Sequence, residues 1–214
     1  ATRSCCLVLL FFLLVVPFQA HGQGSGGWNF SLLPDVPAEI GLGGPLVGSH
    51  AGALIVAGGA NFPTPLTEGG PKVWHDDVFV LLPGADQWLT GQKLPRPLAY
   101  ASCTSTARGI VVVGGSDADQ VYSTAFLMRW DVNSKQVLFE ALPDLPAASA
   151  FGSAESIGDV VYVWGGKHQK SDLQLTGGFW QLDLAEIDSG WQSLPDHPGP
   201  VRFKMATAVQ QDVG

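Results

Sequence analysis

Cysteine is scarce in this sequence of 214 residues, which contains three. Two of them, Cys5 and Cys6, lie in an N-terminal segment that we expect to be removed, so the remaining chain keeps one, Cys103. A single cysteine excludes an internal disulfide and a Cys-x-x-Cys metal or redox motif. We expect Cys103 to be a small apolar residue on a strand, with a reactive thiol as the alternative.

Charge is also low, because only 14% of the residues are Asp, Glu, Lys or Arg, and the net charge is −8. The acidic residues are spread along the chain and the basic residues form no cluster, which argues against nucleic acid as a partner. With 46% hydrophobic residues, the composition excludes a disordered polymer. An anionic ligand would have to meet individual lysine or arginine side chains.

The N-terminal segment has the composition of a secretory signal. A positive charge precedes an apolar run over residues 7–18, which is too short to cross a bilayer comfortably, and small residues follow at Ala20 and Gly22. We expect residues 1–22 to be a signal peptide, which predicts a secreted or extracytoplasmic protein, in the secretory pathway or periplasm, with no stable membrane span after cleavage. An uncleaved anchor is the alternative. Asn29 begins an Asn-Phe-Ser pattern and is a glycosylation candidate.

An apolar run that ends in a glycine pair occurs three times, at Ala53–Asn61, Ile110–Gly115 and Val160–Gly166. The second glycines are 56 and 51 residues apart (115−59 and 166−115). A period of about 50 residues, with aromatic residues around each run, resembles the kelch repeat of β-propellers. The glycine pairs are expected to form tight turns inside each repeat rather than to bind a phosphate.

A second repeated signal is Leu-Pro followed closely by another proline. Proline cannot donate a hydrogen bond to a β-ladder, so these segments are expected at strand ends, where one sheet is linked to the next. The four segments are Leu33–Pro37, Leu94–Pro97, Leu142–Pro146 and Leu194–Pro198.

No stretch has a convincing helical period, and the apolar patterns predict four strands in each repeat, hence an all-β fold. The predicted strands are Pro45–His50, Ala53–Ala57, Val78–Leu82 and Trp88–Lys93, then Ala99–Thr104, Ile110–Val113, Thr124–Trp130 and Gln136–Ala141, then Ala148–Ala154, Val160–Trp164, Phe179–Leu184 and Trp191–Ser193.

We therefore predict a partial kelch-type β-propeller over residues 23–214, with about three blades at 44–94, 98–142 and 147–194. Partial strands are expected at both ends: an orphan outer strand at 28–33 and the start of a fourth blade at 202–214. Such a ring is incomplete and is expected to be six-bladed when complete. Open sheet edges predict self-association.

Because strands in a blade alternate in direction, the loops 60–77, 116–123 and 167–178 should share one face with the links between blades, and function is expected there. The first loop is the longest and contains charges of both signs. The substrate-binding candidates on this face are Asn61, Glu68, Lys72, His75, Arg96, Asp117 and Arg202.

Arg96 and Arg202 both follow a Leu-Pro signal, so we expect them at related positions near the channel mouth, where guanidinium groups suit a carboxylate. The alternative is that they cover apolar side chains at the surface. Likewise, Asp76 or Asp77 could simply cap a turn and His75 could be solvated. No spacing fits a metal-site pattern, so no metal is expected.

Five segments carry a more specific resemblance, namely Val56–Phe62, Glu68–Lys72, Asp77–Phe79, Arg96–Tyr100 and Gly114–Asp117. They are similar to the secreted N-acetylneuraminate epimerase (sialic acid mutarotase) family, including its cyclically permuted members. The resemblance implies a kelch propeller that interconverts the anomers of a free sugar acid without a redox cofactor or metal.

The sequence departs from that family at the catalytic glutamate. In the bacterial epimerases this proton acceptor follows a glycine, in the blade just before the one equivalent to Val56–Phe62, and no residue here matches it. The catalytic residues are therefore unknown, and we expect this chain to be inactive on its own. The alternative is a non-catalytic kelch module that binds a protein or a glycan. A copper oxidase is disfavoured, since one cysteine and three tyrosines form no copper-ligand set.

Overall fold

The computed structural model of this chain describes residues 30–170 and 175–210. The predicted signal peptide and Asn29 lie outside the described residues. Contacts divide the chain into Ala1–Leu32 and Leu33–Gly214. Of the first unit, only residues 30–32 are described, as exposed coil. Within the described ranges, no helix has the length and apolar character needed to span a membrane.

The second unit contains three four-stranded antiparallel sheets and one two-stranded ladder. Sheet 1 comprises β1 (Leu46–His50), β2 (Ala53–Ala57), β5 (Asp77–Leu81) and β6 (Leu89–Lys93), and the ladder between them comprises β3 (Ala60–Asn61) and β4 (Val73–Trp74). Sheet 2 comprises β7 (Ser102–Thr106), β8 (Gly109–Val113), β9 (Ala125–Asp131) and β10 (Gln136–Leu142). Sheet 3 comprises β11 (Ser153–Ile157), β12 (Val160–Trp164), β13 (Phe179–Asp183) and β14 (Gln192–Ser193).

The described residues otherwise include two 3₁₀ turns, Leu66–Glu68 and Ile187–Ser189, and no α-helix. The prediction of an all-β, propeller-type fold is confirmed. The innermost strands β7 and β11 begin three and five residues later than predicted, at Ser102 and Ser153. The difference has a backbone cause, since a residue with positive φ precedes each strand.

The core lies between the sheets, and β8 shows how both of its faces are used. Ile110 and Val112 pack in the cluster shared by sheets 1 and 2, whereas Val111 and Val113 pack in the cluster shared by sheets 2 and 3. All four are at most 1% exposed. A strand buried on both faces needs a continuous apolar run instead of an alternating one, which explains this sequence. Burying each such side chain contributes about 1.5–3 kcal/mol.

Tryptophans that directly precede the outer strands form hydrogen bonds with the links between sheets. Trp88 Nε1 donates to the carbonyl of Pro34 at 2.9 Å, and Trp191 Nε1 donates to the carbonyl of Pro143 at 2.8 Å. In both cases the acceptor belongs to the Leu-Pro segment about 50 residues earlier. The repeated prolines therefore present their carbonyl groups to the following sheet.

Cys103 lies half-buried on β7 and packs against the core between sheets 1 and 2. Burial raises the pKa of its thiol to about 12. The thiolate is the reactive form, so this environment favours the apolar role expected for Cys103 over the reactive one.

The three sheets form an open array over the described part of the chain. Tyr162, Trp164 and Phe179, on the free face of sheet 3, remain half-buried. Residues 201–210 lie beside β11, where Thr207 Oγ1 donates to Glu155 at 2.8 Å. No strand is assigned in 201–210 or 30–33, so their membership of further blades stays a prediction, as does self-association.

Candidate functional site

We call the upper face the end of the sheets where the β2–β5, β8–β9 and β12–β13 loops meet the links between sheets. Four residues there occupy equivalent positions, and the first three each precede an innermost strand. They are Gly44, Tyr100, Phe151 and Lys204, with φ of 60°, 62°, 61° and 54°. The first three each lie 15 residues before the second glycine of a pair (59−44, 115−100 and 166−151).

Backbone hydrogen bonds join these four positions in order. The amide of Tyr100 donates to the carbonyl of Gly44, that of Phe151 to Tyr100, and that of Lys204 to Phe151, each at 2.8 Å. A positive φ in a bulky aromatic residue is unusual and costs about 1–3 kcal/mol. The bonds between neighbouring sheets hold this conformation in place, so the two aromatic side chains point in fixed directions.

Tyr100 and Phe151 form an aromatic pair on the upper face. Their ring centroids are 4.1 Å apart with an interplanar angle of 25°, and Phe203 meets Phe151 edge-on at 6.4 Å. The stack requires glycine at position 44, because a Cβ there would collide with the ring of Tyr100. The aromatic pair is thus built from three successive repeats.

Lys72 brings a positive charge to this pair. Its Nζ lies 4.2 Å from the ring centroid of Tyr100 and 4.9 Å from that of Trp74, and Lys170 Nζ lies 4.8 Å from Trp74. These are cation–π distances, at which the ring quadrupole stabilises an ammonium group. Among the described residues, no carboxylate lies within 4.0 Å of Lys72 Nζ.

The long β3–β4 loop delivers Lys72 to this position. The loop turns through the 3₁₀ helix Leu66–Glu68, which ends at Gly69 with φ of 77°. The chain then passes so close to Thr64 that a Cβ at Gly70 would collide with its carbonyl. Pairing of β3 with β4 returns the loop to the sheet. The two glycines of the Glu68–Lys72 segment therefore have separate structural roles.

Asn61 and His75 form a second group on the same ladder. His75 Nε2 lies 2.8 Å from Asn61 Oδ1, and Asn61 Nδ2 donates to the carbonyl of Gly41 at 3.0 Å. With the amide in this orientation, Nε2 of His75 carries the proton and donates it. Both predicted candidates are thus close together, but they bind each other.

Asp117, Tyr122 and Arg96 form a third group. The Tyr122 hydroxyl donates to Asp117 Oδ2, and the Arg96 guanidinium lies 4.6 Å from the ring centroid of Tyr122. Partial desolvation is the largest single effect on Asp117 and acts to raise its pKa. The hydrogen bonds from Tyr122 and the amides of residues 119 and 120, together with Lys170, outweigh it and lower the pKa. Asp117 therefore stays ionised and serves as an acceptor that shapes the loop.

The remaining candidates lie apart from these groups. Glu68 is exposed in the 3₁₀ helix. The carbonyl of Arg202 accepts from Gly166 N at 3.0 Å, as that of Leu98 accepts from Gly59 N at 2.8 Å. Arg202 therefore corresponds to Leu98, two residues after Arg96, so the two arginines differ by two residues in their pairing and their shared role stays a prediction. The described residues hold no group of three metal-ligating side chains.

Tyr100, Phe151 and Trp74 were not among the residues predicted to bind a substrate, although Trp74 lies in the predicted loop 60–77. A signal for two of them was present, because Tyr100 and Phe151 stand at the same offset from their glycine pairs. No local pattern marks Trp74.

The chain is similar in sequence to curated bacterial proteins, although no family model matches it. It is 36% identical over 124 residues to an N-acetylneuraminate epimerase of Brucella suis, which is 51% of this chain and 31% of the relative. The corresponding protein of Vibrio cholerae is 30% identical over 125 residues, 50% of this chain and 32% of the relative. The chain thus spans about a third of the length of these relatives.

A solved structure described as "Structure of YjhT" superposes with a TM-score of 0.57 and 16% sequence identity, covering 73% of this chain and 53% of that chain. This likeness supports the fold. The resemblance to N-acetylneuraminate epimerases expected from sequence is confirmed by the curated relatives.

Proposed function

We propose that the upper face of this chain binds a free sugar acid such as N-acetylneuraminate, and that the complete protein interconverts its anomers. The observation that carries the proposal is the ammonium group of Lys72 held over the Tyr100–Phe151 pair. A sugar acid presents a carboxylate beside C–H surfaces, and a cation next to aromatic rings complements both. The curated relatives named N-acetylneuraminate epimerase support this choice of ligand.

Anomer interconversion requires opening of the sugar ring, hence a group that moves the anomeric proton. We assign no residue of this chain to that step. Asp117 accepts several hydrogen bonds and has a lowered pKa, which makes it a poor base, and His75 is engaged by Asn61. We infer that this chain supplies binding groups and is inactive on its own.

A second candidate function is a non-catalytic module that binds a protein or a glycan. The observation that favours it is the internal pairing of the polar groups on the upper face, Asn61 with His75 and Asp117 with Tyr122. A binding surface needs polar groups in fixed positions, whereas a proton-transfer site needs an acid or base that is free to exchange a proton with the substrate.

NMR of freshly dissolved, anomerically pure N-acetylneuraminate separates the two functions. We expect the complete gene product to accelerate the approach to the anomeric equilibrium, and the 214-residue chain to bind the sugar without acceleration. Acceleration by the chain itself would show that it is not inactive. No acceleration by the complete product would overturn the mutarotase proposal and leave the binding module.

We also propose that the protein is exported, on the basis of the apolar run at 7–18 and the small residues after it. The mature N-terminus is then expected at residue 21 or 23, which mass spectrometry of protein from the culture medium or periplasm would show. Material that retains residues 1–22 in a membrane fraction would favour the uncleaved anchor. In a eukaryotic host, a glycan mass on Asn29 would report passage through the secretory pathway.

A further inference from the structure

We infer that Lys72 binds the carboxylate of the ligand and determines the preference for an acid, and that Gly44 positions Lys72 through the ring of Tyr100. The inference rests on the proposed function, namely that the upper face binds a sugar acid. It assigns to one lysine the role that the sequence suggested for two arginines.

The Tyr100 ring has a neighbour on each of its two faces. Phe151 stacks at 4.1 Å from its centroid, and Lys72 Nζ lies at 4.2 Å. Two groups at these distances cannot share one face, so the ammonium and the second ring lie on opposite sides of Tyr100. The position of Lys72 is therefore coupled to the stack and, through it, to the backbone of the innermost strands.

The ammonium group of Lys72 keeps its hydrogen-bonding capacity. A ring stabilises the charge of Lys72 without using its three N–H donors. Lys93 offers the contrast, since its Nζ lies 2.9 Å from Asp76 and 2.8 Å from Asp77, and hydrogen bonds to these carboxylates raise its pKa. Lys93 is thus neutralised by carboxylates, whereas no described carboxylate does so for Lys72.

The local charge around Trp74 is positive. Two ammonium groups, those of Lys72 and Lys170, lie within 5 Å of the Trp74 ring centroid, at 4.9 and 4.8 Å. Lys170 Nζ also donates to the carbonyl of Ala118, and its charge helps to lower the pKa of Asp117, so Lys72 is the member of this pair without a carboxylate nearby among the described residues. A positive site of this kind stands out in a chain with a net charge of −8.

The two arginines fit the role less well. Arg96 lies over Tyr122, in the group that contains the ionised Asp117, which repels a carboxylate. Arg202 is exposed and occupies the position that corresponds to Leu98. The geometry thus points to a monocarboxylate whose oxygens meet Lys72 Nζ and whose apolar surface lies near Tyr100 and Trp74.

Binding of N-acetylneuraminate and of its methyl ester to the 214-residue chain, measured by isothermal titration, tests the inference. We expect Lys72→Met to weaken binding of the acid about tenfold or more, the effect of losing a hydrogen bond to a charged group. The acid and the ester should then bind alike, a change that a merely structural role would not produce. Lys93→Met is the matched control and should leave both affinities unchanged.

Gly44→Ala tests the positioning step, since its Cβ would displace the Tyr100 ring. Gly158→Ala, in a hairpin turn at the opposite end of the sheets, is the matched control, with the same φ of 60° and open space around its Cβ. We expect a several-fold loss of affinity for the acid in the first variant and none in the second. Equal effects of the two substitutions would overturn the role of Gly44.

The outcomes also separate this inference from the proposed function. If Arg96→Met removes the preference for the acid and Lys72→Met does not, Lys72 is not the anchor, while the upper face remains a sugar-acid site. If the unchanged chain binds neither the acid nor the ester, both the inference and the proposed binding function are wrong.

Discussion

The two ends of the sheets both contain residues with positive φ, but they use this conformation differently. At the lower end, Ala51 with φ of 47°, Gly52 with 81° and Gly158 with 60° lie in short hairpin turns. On the upper face, Tyr100 and Phe151 adopt φ of 62° and 61° although they are bulky. Hairpin turns need such a conformation to match the twist of their strands. No turn requires it of the aromatic pair, so there the strain serves to direct side chains.

The charges differ in the same way. At the lower end, Arg108 in the β7–β8 turn pairs with Asp159 in the β11–β12 turn, with 3.3 Å between Nη2 and Oδ2. On the upper face, Lys72 lies over aromatic rings instead. Arg108 at the lower end is thus paired with a carboxylate, while Lys72 on the upper face stays available for a ligand.

The largest expected difference between the two ends comes from alanine at glycine. A Cβ at Gly114, on the upper face with φ of 69°, would collide with the carbonyl of Ser149, whereas one at Gly158 meets open space. We expect Gly114→Ala to lower the free energy of unfolding by more than about 3 kcal/mol and Gly158→Ala by about 1 kcal/mol. Urea unfolding of both variants measures the difference. Similar losses would mean that the upper backbone can adjust.

The next largest loss of unfolding free energy is expected when the side chain of a residue with positive φ is truncated. Phe151 stacks on Tyr100 and meets Phe203, so we expect Phe151→Ala to cost about 2 kcal/mol of unfolding free energy. Lys135 has φ of 54° in the exposed β9–β10 turn, and Lys135→Ala should stay within about 0.5 kcal/mol. Thermal unfolding of the pair checks this. A negligible loss for Phe151→Ala would show that its ring does not contribute to the fold.

Relief of backbone strain at the lower end should raise the free energy of unfolding. Ala51 is exposed at φ of 47°, so Ala51→Gly is expected to raise the free energy of unfolding by about 1 kcal/mol. Tyr100→Gly relieves similar strain but removes a stacked ring, and it should destabilise the chain. If Tyr100→Gly were stabilising too, the stacked ring would contribute less to stability than its strained backbone costs.

These differences show why the sequence predicts the sheets better than the site. Apolar runs such as those of β8 and β12 are local, and their strands were predicted within one residue. The first residue of β11 was predicted wrongly, because the conformation of Phe151 depends on a hydrogen bond to Tyr100, which lies just before the innermost strand of the preceding sheet. A contact between residues 51 positions apart (151−100) leaves no local pattern in either segment.

The sequence predicted which face of the fold carries the candidate site, but not the contacts between its side chains. Alternating strand direction placed Asn61, Lys72 and Asp117 on the upper face, as the structure also does. Which of them remain available depends on side-chain partners, such as His75 for Asn61 and Tyr122 for Asp117. The register of Arg202 against Leu98 likewise follows from backbone pairing between sheets.

The pH dependence of two aspartates, one at each end of the sheets, tests the difference between the ends with a smaller expected effect. The pKa of Asp131, in the lower β9–β10 turn, is lowered by hydrogen bonds, of which the one from the Ser134 side chain has the largest effect. The pKa of Asp117 on the upper face is also lowered, although partial desolvation acts to raise it. Each stabilising contribution is fully present above the unfolded pKa of about 3.9 and is lost as the pH falls through the lower folded value. Tyr122→Phe should raise the pKa of Asp117 alone, and Ser134→Ala that of Asp131 alone, as read by carboxyl carbon chemical shifts.

The smallest expected effect is that of the ion pair between the lower turns. Arg108 and Asp159 are 45% and 43% exposed, so their attraction is screened and Arg108→Ala should cost at most about 0.5 kcal/mol, less at high salt. Lys72→Met should be equally mild for stability, and yet it should remove the preference for the acid. A loss above about 1 kcal/mol for Arg108→Ala would mean that the lower turns couple sheets 2 and 3. Charged side chains would then contribute at both ends, to the stability of the fold at the lower end and to ligand binding on the upper face.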